Sequence, residues 1–189
     1  MLLTGIPPAQ RPLKALRDID LTHEFEKALA ESDGSAGAHC IHEIWMRGAF
    51  PAGIETAIDR LWTRAAPTIP DWLPMRYISW LPVAYEVAAR FEAKRRGRSN
   101  IYLVLLDYSD RRGDSHGVYV GMSSYSPADR FDQHKAGIRS AGSVLKRGVE
   151  VLTGPALHLQ RIRRSEAARI ELELAEALRD AGLRVEGGH

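Results

Sequence analysis

Cysteine is nearly absent from this chain of 189 residues: Cys40 stands alone, so no intrachain disulfide can form. A lone thiol suits a reducing compartment and reads as a buried apolar filler. Long apolar runs are missing too, which excludes a helix able to span a bilayer. At the start, MLLTGIPPAQRPLK, prolines and a charge break the apolar stretch that a secretory signal would need, and cytoplasmic residence is the expectation. Net charge is only +2, too little on its own to announce a nucleic-acid binder. No repeat of fixed period and no low-complexity tract occur, which sets aside solenoids and disordered tails. His39, Cys40 and His42 lie close together, but no second ligand pair follows at a recognisable spacing, so no structural zinc is expected there.

What is present divides into two textures. Residues 1–97 read as helices broken by Pro and Gly, and hold all four tryptophans, Trp45, Trp62, Trp72 and Trp80. Helices are expected over residues 21–29, 53–66 and 80–94, the first ended by Ser32-Asp33-Gly34. These tryptophans read as parts of a helical core; the competing reading is a docking surface for a protein partner through residues 1–97. The basic cluster Lys94, Arg95, Arg96 and Arg98 marks the expected boundary, giving a helical extension over 1–97 and a second domain over 98–189. A second basic cluster follows at Arg161, Arg163 and Arg164. Both clusters read as solvated faces or as nucleic-acid phosphate contacts, depending on what lies nearby.

From residue 100 the pattern changes to strands. The apolar run 101–106 and the segment 117–121 are rich in strand formers, joined by a polar, Gly-containing connection suited to a long hairpin loop. Ser126-Pro127-Ala128-Asp129 has the marks of a helix start, a hydroxyl cap followed by Pro and then an acid, and the helix should run to about Ala136. Residues 149–152 fit a strand or a loop. A final helix is expected from Ser165 or Glu166 to Gly182, then a short strand near residues 183–185. The fold class is therefore α/β: a small antiparallel sheet of a hairpin and a short C-terminal strand, flanked by helices, with an α-helical, Trp-rich N-terminal extension.

Two features could carry chemistry. Advancing 100° per residue along the last helix gathers Ala167, Ile170, Leu174, Ala177, Leu178 and Ala181 on one buried face, with Glu171 as the one carboxylate on that apolar side. A carboxylate there needs a cation or donor, which leaves an arginine partner, an edge position or a functional role open. One helix earlier, Arg130 and His134 lie one turn apart on the same face, either as a surface pair or as a phosphate-contacting pair.

The order Ile101-Tyr102, Tyr119-Val120-Gly121, Arg130-Phe131-Asp132-Gln133-His134 and then Glu171 resembles the GIY-YIG nuclease family over about half the chain. The resemblance implies an endonuclease active site made of Tyr102, Tyr119, Arg130, His134 and Glu171. Glu171 would hold Mg²⁺ or Mn²⁺, Tyr102 would orient or deprotonate the attacking water with His134 accepting the proton, and Arg130 would neutralise the phosphate. It further implies a nucleic-acid partner, DNA ahead of RNA, while the lack of long apolar runs leaves no membrane expected. Three departures accompany it. Asn100 stands where the family has Gly, the hairpin loop is longer than usual, and the asparagine of many members is missing after the glutamate helix. Gly187-Gly188-His189 lies near that last place, so His189 is either a substitute for the asparagine or part of a terminal segment with no role. A module that kept the fold and lost the reaction is the alternative.

Overall fold

A computed structural model describes residues 3–48, 51–112 and 115–188. The chain forms two compact units, residues 1–82 and 83–189, so the division falls before the basic cluster at which a boundary was expected.

The N-terminal unit is helical. After a 3-10 turn at Pro8–Gln10 come α1 (Asp18–Glu31), α2 (Gly34–Met46) and α3 (Pro51–Ala65). The segment Ser32-Asp33-Gly34, expected to end a helix, ends one and starts another. Ser32 takes a left-handed conformation at the C-cap of α1, and the Asp33 carboxylate accepts the Ala36 amide to cap α2. Helix α2 was not anticipated, because glycines and polar residues interrupt its pattern. Those glycines serve packing: a Cβ on Gly37 would lie 2.3 Å from the Leu61 side chain of α3. Trp45 is buried and donates to the Ile78 carbonyl at 3.0 Å, and Trp80 is also buried, as a helical core requires. Glu43, almost inaccessible, is held by bidentate bonds from Arg11 at 2.8 and 2.9 Å and by Arg47 at 2.8 Å.

Helix α4 (Leu81–Ala88) is shorter than the expected 80–94. Its last turn tightens, the Arg90 and Phe91 amides donating to Val87 and Ala88, and His158 Nε2 donates to the Ala88 and Phe91 carbonyls at 3.1 and 3.0 Å.

The C-terminal unit carries a four-stranded sheet in the order β3-β1-β2-β4. Strands β1 (Asn100–Asp107) and β2 (His116–Ser123) form the expected antiparallel hairpin, and the ambiguous segment near 150 is a strand, β3 (Gly148–Val151), antiparallel to β1. The last strand, β4 (Val185–Gly187), pairs parallel with β2. Central β1 is buried on both faces through Leu106, which explains its unbroken apolar run. Helix α5 (Pro127–Lys135) begins as expected, with Ser126 Oγ accepting the Asp129 amide. A short α6 (Gly142–Arg147) follows, and α7 (Arg164–Asp180) buries Ala167, Ile170, Leu174, Ala175 and Leu178; of the face expected from helical phase, Ala177 is half-buried and Ala181, at the C-cap where the helix ends, is exposed. Tyr102, Val104, Leu106, Tyr108 and Val144 pack into one core cluster, flanked by Tyr119, Phe131 and Ala141. Among the described residues no helix is long and apolar enough to cross a membrane.

Candidate active site

Strand alternation sets the site. Tyr102 lies opposite Gly121 and Tyr119 opposite Val104, so both tyrosines and Gly121 share one face of the sheet. Gly121 is small for a reason: a Cβ there would stand 2.6 Å from the Tyr102 ring and hydroxyl and 2.7 Å from the Tyr119 ring. The glycine is the floor over which the two rings converge, their centroids 5.9 Å apart.

Helix α5 brings His134 to the same place. Its ring centroid lies 6.1 Å from Tyr102 and 5.8 Å from Tyr119, and its Nε2 is 2.9 Å from the Tyr102 hydroxyl. The other ring nitrogen decides the direction of that bond. Nδ1 accepts the Ala141 amide at 3.0 Å, so the proton of the neutral ring sits on Nε2 and is donated to the Tyr102 oxygen. In this tautomer Nε2 is a donor, whereas the resemblance implies that His134 accepts a proton. Burial first, and then the neighbouring Arg130 charge, lower the His134 pKa to about 4, which keeps the ring neutral and this tautomer in place.

Arg130 spends its hydrogen bonds on neutral acceptors: the Arg139 carbonyl at 2.7 Å, the Ile138 carbonyl at 3.2 Å and the Gln133 side-chain oxygen at 3.1 Å. Its charge is thus aimed without being neutralised by those contacts. Burial raises the Tyr102 phenol, Tyr119 raises it further, and Arg130 opposes both. Tyr119 is also raised, chiefly by burial; the hydrogen bond with Tyr102 and the Arg130 charge lower it, while the Glu171 carboxylate adds to the rise. Glu171 is half-buried on α7, and its charge bears on Tyr119. Of the sequence-derived residues, Tyr102, Tyr119 and His134 lie ring beside ring, and the Arg130 charge bears on all three. His189 lies outside the described residues. Gly187 and Gly188, just before it, are buried with positive φ of 84° and 72°, and the Gly187 carbonyl accepts from Arg179 at 2.8 Å, so this stretch is a packed element.

Among the described residues no group of three or more His, Cys, Asp or Glu comes together as a metal cage. A hard divalent ion that keeps most of its water and borrows substrate phosphate needs only one or two carboxylates, and the single Glu171 carboxylate fits that donor set.

Two site features went unread in the sequence. Asn100, where the family has Gly, is a clasp: its Oδ1 accepts the Arg161 amide at 2.9 Å and its Nδ2 donates to the Tyr125 carbonyl at 2.8 Å. The turn after α5 is the second, since Ser140 Oγ donates to the His134 carbonyl at 2.9 Å and the next amide fixes the imidazole. Neither has a sequence signal, because both depend on contacts between distant or irregular segments. Of the basic clusters, Lys94, Arg95, Arg96 and Arg98 are exposed, as are Arg161, Arg163 and Arg164, and the two segments run side by side. No protein-family model, curated protein or solved structure matches this chain.

Proposed function

We propose that the C-terminal unit is a GIY-YIG-like, divalent-metal-dependent endonuclease that hydrolyses phosphodiester bonds, DNA ahead of RNA. The observation that carries this reading is the 2.9 Å contact between Tyr102 and a neutral His134 whose Nε2–H points at the phenol oxygen. An oxygen that receives an N–H and lies in the field of Arg130 is prepared to carry negative charge, so a phenolate formed there by loss of its proton to solvent can take a proton from the attacking water and return to the phenol. Because burial holds that phenol above its ordinary pKa, the neutral form predominates, and in that form Tyr102 orients the water by hydrogen bond. Arg130 is suited to the phosphate by its planar donor fork, and Tyr119 to orienting a phosphate oxygen or the water. Glu171 would hold Mg²⁺ or Mn²⁺, which when bound supplies charge neutralisation at the phosphate and the leaving oxygen.

The test is a panel of single-stranded, duplex and branched DNA and of RNA, each with Mg²⁺ or Mn²⁺. Wild type should cleave at least one substrate, and Glu171→Ala, Arg130→Ala and Tyr102→Phe should each lose roughly 100-fold or more while staying folded. Undiminished cleavage by purified Glu171→Ala overturns the reading. Saturable binding without cleavage under either metal favours the inactive module instead.

A further inference from the structure

The two basic clusters, far apart in the chain, form one seam. Gly97 donates its amide to the Arg161 carbonyl at 2.8 Å, and Ser99 and Ile162 exchange two N–H···O bonds of 3.0 and 2.8 Å in an antiparallel bridge. Gly97 makes the approach feasible, since a Cβ there would stand 2.0 Å from the Ile162 carbonyl oxygen. Ile162 is buried and anchors the seam from below, while the bases of 94–98 and 161–164 face solvent. Beside them opens a cleft of ≈ 690 Å³, lined by Lys94, Arg96, Arg163 and Arg169 against two acids, Glu92 and Glu166.

Asn100 links this seam to the tyrosine site. Its side chain bonds Arg161 on one side and Tyr125 on the other, and along β1 it shares a face with Tyr102 about 7 Å away. Tyr125 is the unusual member. Its carbonyl is held by Asn100, its amide donates to Ser123 Oγ at 3.1 Å, and yet its side chain is 54% exposed. The next residue, Ser126, caps the helix that carries Arg130 and His134. A large aromatic ring is therefore presented to water from a fixed backbone, between a run of cations and the candidate active site.

We infer that this edge of the C-terminal unit binds a single-stranded nucleic-acid segment, the seam contacting its phosphates and Tyr125 stacking on an unpaired base as the strand enters the tyrosine site. The inference rests on the nuclease reading for what the strand is delivered to, and names its substrate class. Non-specific single-strand binding combines a basic track with aromatic rings on which bases stack. An intact duplex offers phosphates to the same cations but no exposed base face for Tyr125.

The test measures binding alone. The full chain carrying Glu171→Ala, without divalent metal, is titrated into a fluorescein-labelled thymidine oligonucleotide and into its duplex with a complementary adenosine strand, and anisotropy is followed at two salt concentrations. The single strand should bind more tightly than the duplex. Adding Tyr125→Ala or Tyr125→Leu should weaken single-strand binding about tenfold, and Tyr125→Phe should retain it. Arg96→Ala with Arg163→Ala should lower affinity and flatten the salt dependence. Thermal midpoints of the Tyr125 variants, expected unchanged at an exposed position, establish that the fold is intact. Duplex binding as tight as single-strand binding, or unchanged binding by folded Tyr125→Ala and Tyr125→Leu, overturns the inference. Retained Tyr125-dependent binding together with no cleavage by wild type would remove the nuclease reading and leave this one standing.

Discussion

At the scale of single residues, Gly121 shows how a small side chain can be a site requirement. It lies in the sequence beside Tyr119, where it reads as part of a motif, but its purpose becomes visible only once the hairpin register places it opposite Tyr102. Gly121→Ala puts a methyl group 2.6 to 2.7 Å from atoms of both tyrosines, so the rings must shift off the sheet and the Tyr102–His134 bond must lengthen. The expected result is a folded protein destabilised by roughly 1–3 kcal/mol in urea titration and, on the proposed nuclease reading, with cleavage falling far more than stability. Activity equal to wild type would show that the tyrosine pair is not positioned by this glycine. Glu171, by contrast, was singled out without the fold by helical phase, although Glu166 and Glu173 on the same helix are half-buried as it is. For His134 the sequence pointed to a helix face shared with Arg130 but not to the tautomer of its ring. The direction of its hydrogen bond is set by the Ala141 amide, in an irregular turn that no periodicity announces.

Elements with strong periodicity or strong end signals were the readable ones. The β1–β2 hairpin, the capped start of α5 and the apolar face of α7 follow from two runs of strand formers around a polar Gly-containing link, a Ser-Pro-x-Asp start and a 3.6-residue phase. Helix α2 escaped because its glycines and its buried Glu43 break the pattern, and only packing against α3 and pairing with Arg11 and Arg47 justify them. The seam between residues 94–98 and 161–164 escaped for a different reason. Each half looks like a solvated charge run, and the pairing that joins them is a non-local backbone ladder of three bonds. Gly97→Ala tests the ladder directly, since the added Cβ would meet the backbone carbonyl of Ile162, which cannot rotate away as a side chain can. It should lower the unfolding free energy by about 1–3 kcal/mol. Hydrogen exchange at the Ser99 and Ile162 amides should accelerate together in this variant. Unchanged protection at both would mean that the seam tolerates the methyl group.

Across the whole molecule, each unit carries a buried histidine held neutral, and this gives stability a specific pH dependence. In the N-terminal unit His42 is lowered to about 4 by burial and then by His39, with Arg11 adding to the drop and Glu43 opposing it. In the C-terminal unit His134 reaches about 4 by burial and Arg130. An unfolded histidine titrates near 6.5. Between that value and about 4 the unfolded chain binds protons that the folded chain refuses, so stability is complete above about pH 6.5 and declines as the pH falls toward 4. At pH 5 the loss should be roughly 2 kcal/mol for each group. Carboxylates held low by arginine, such as Asp20 and Asp110, lose their contribution only at lower pH, so the window from 6.5 to 5 belongs to histidine. Urea midpoints at pH 7.5, 6.5, 5.5 and 5.0 should therefore fall progressively, and in His134→Gln and His42→Gln the fall should be shallower even though both variants start from lower stability. The folded ring itself protonates only near its own pKa of about 4, where Nδ1 turns from acceptor to donor and its bond with Ala141 breaks, so on the proposed reading cleavage by the folded protein should hold to about pH 5 and decline toward 4, below the window in which stability falls. A midpoint independent of pH from 7.5 to 5.0 would mean that these rings protonate in place, and the tautomer argument for His134 would fall with it.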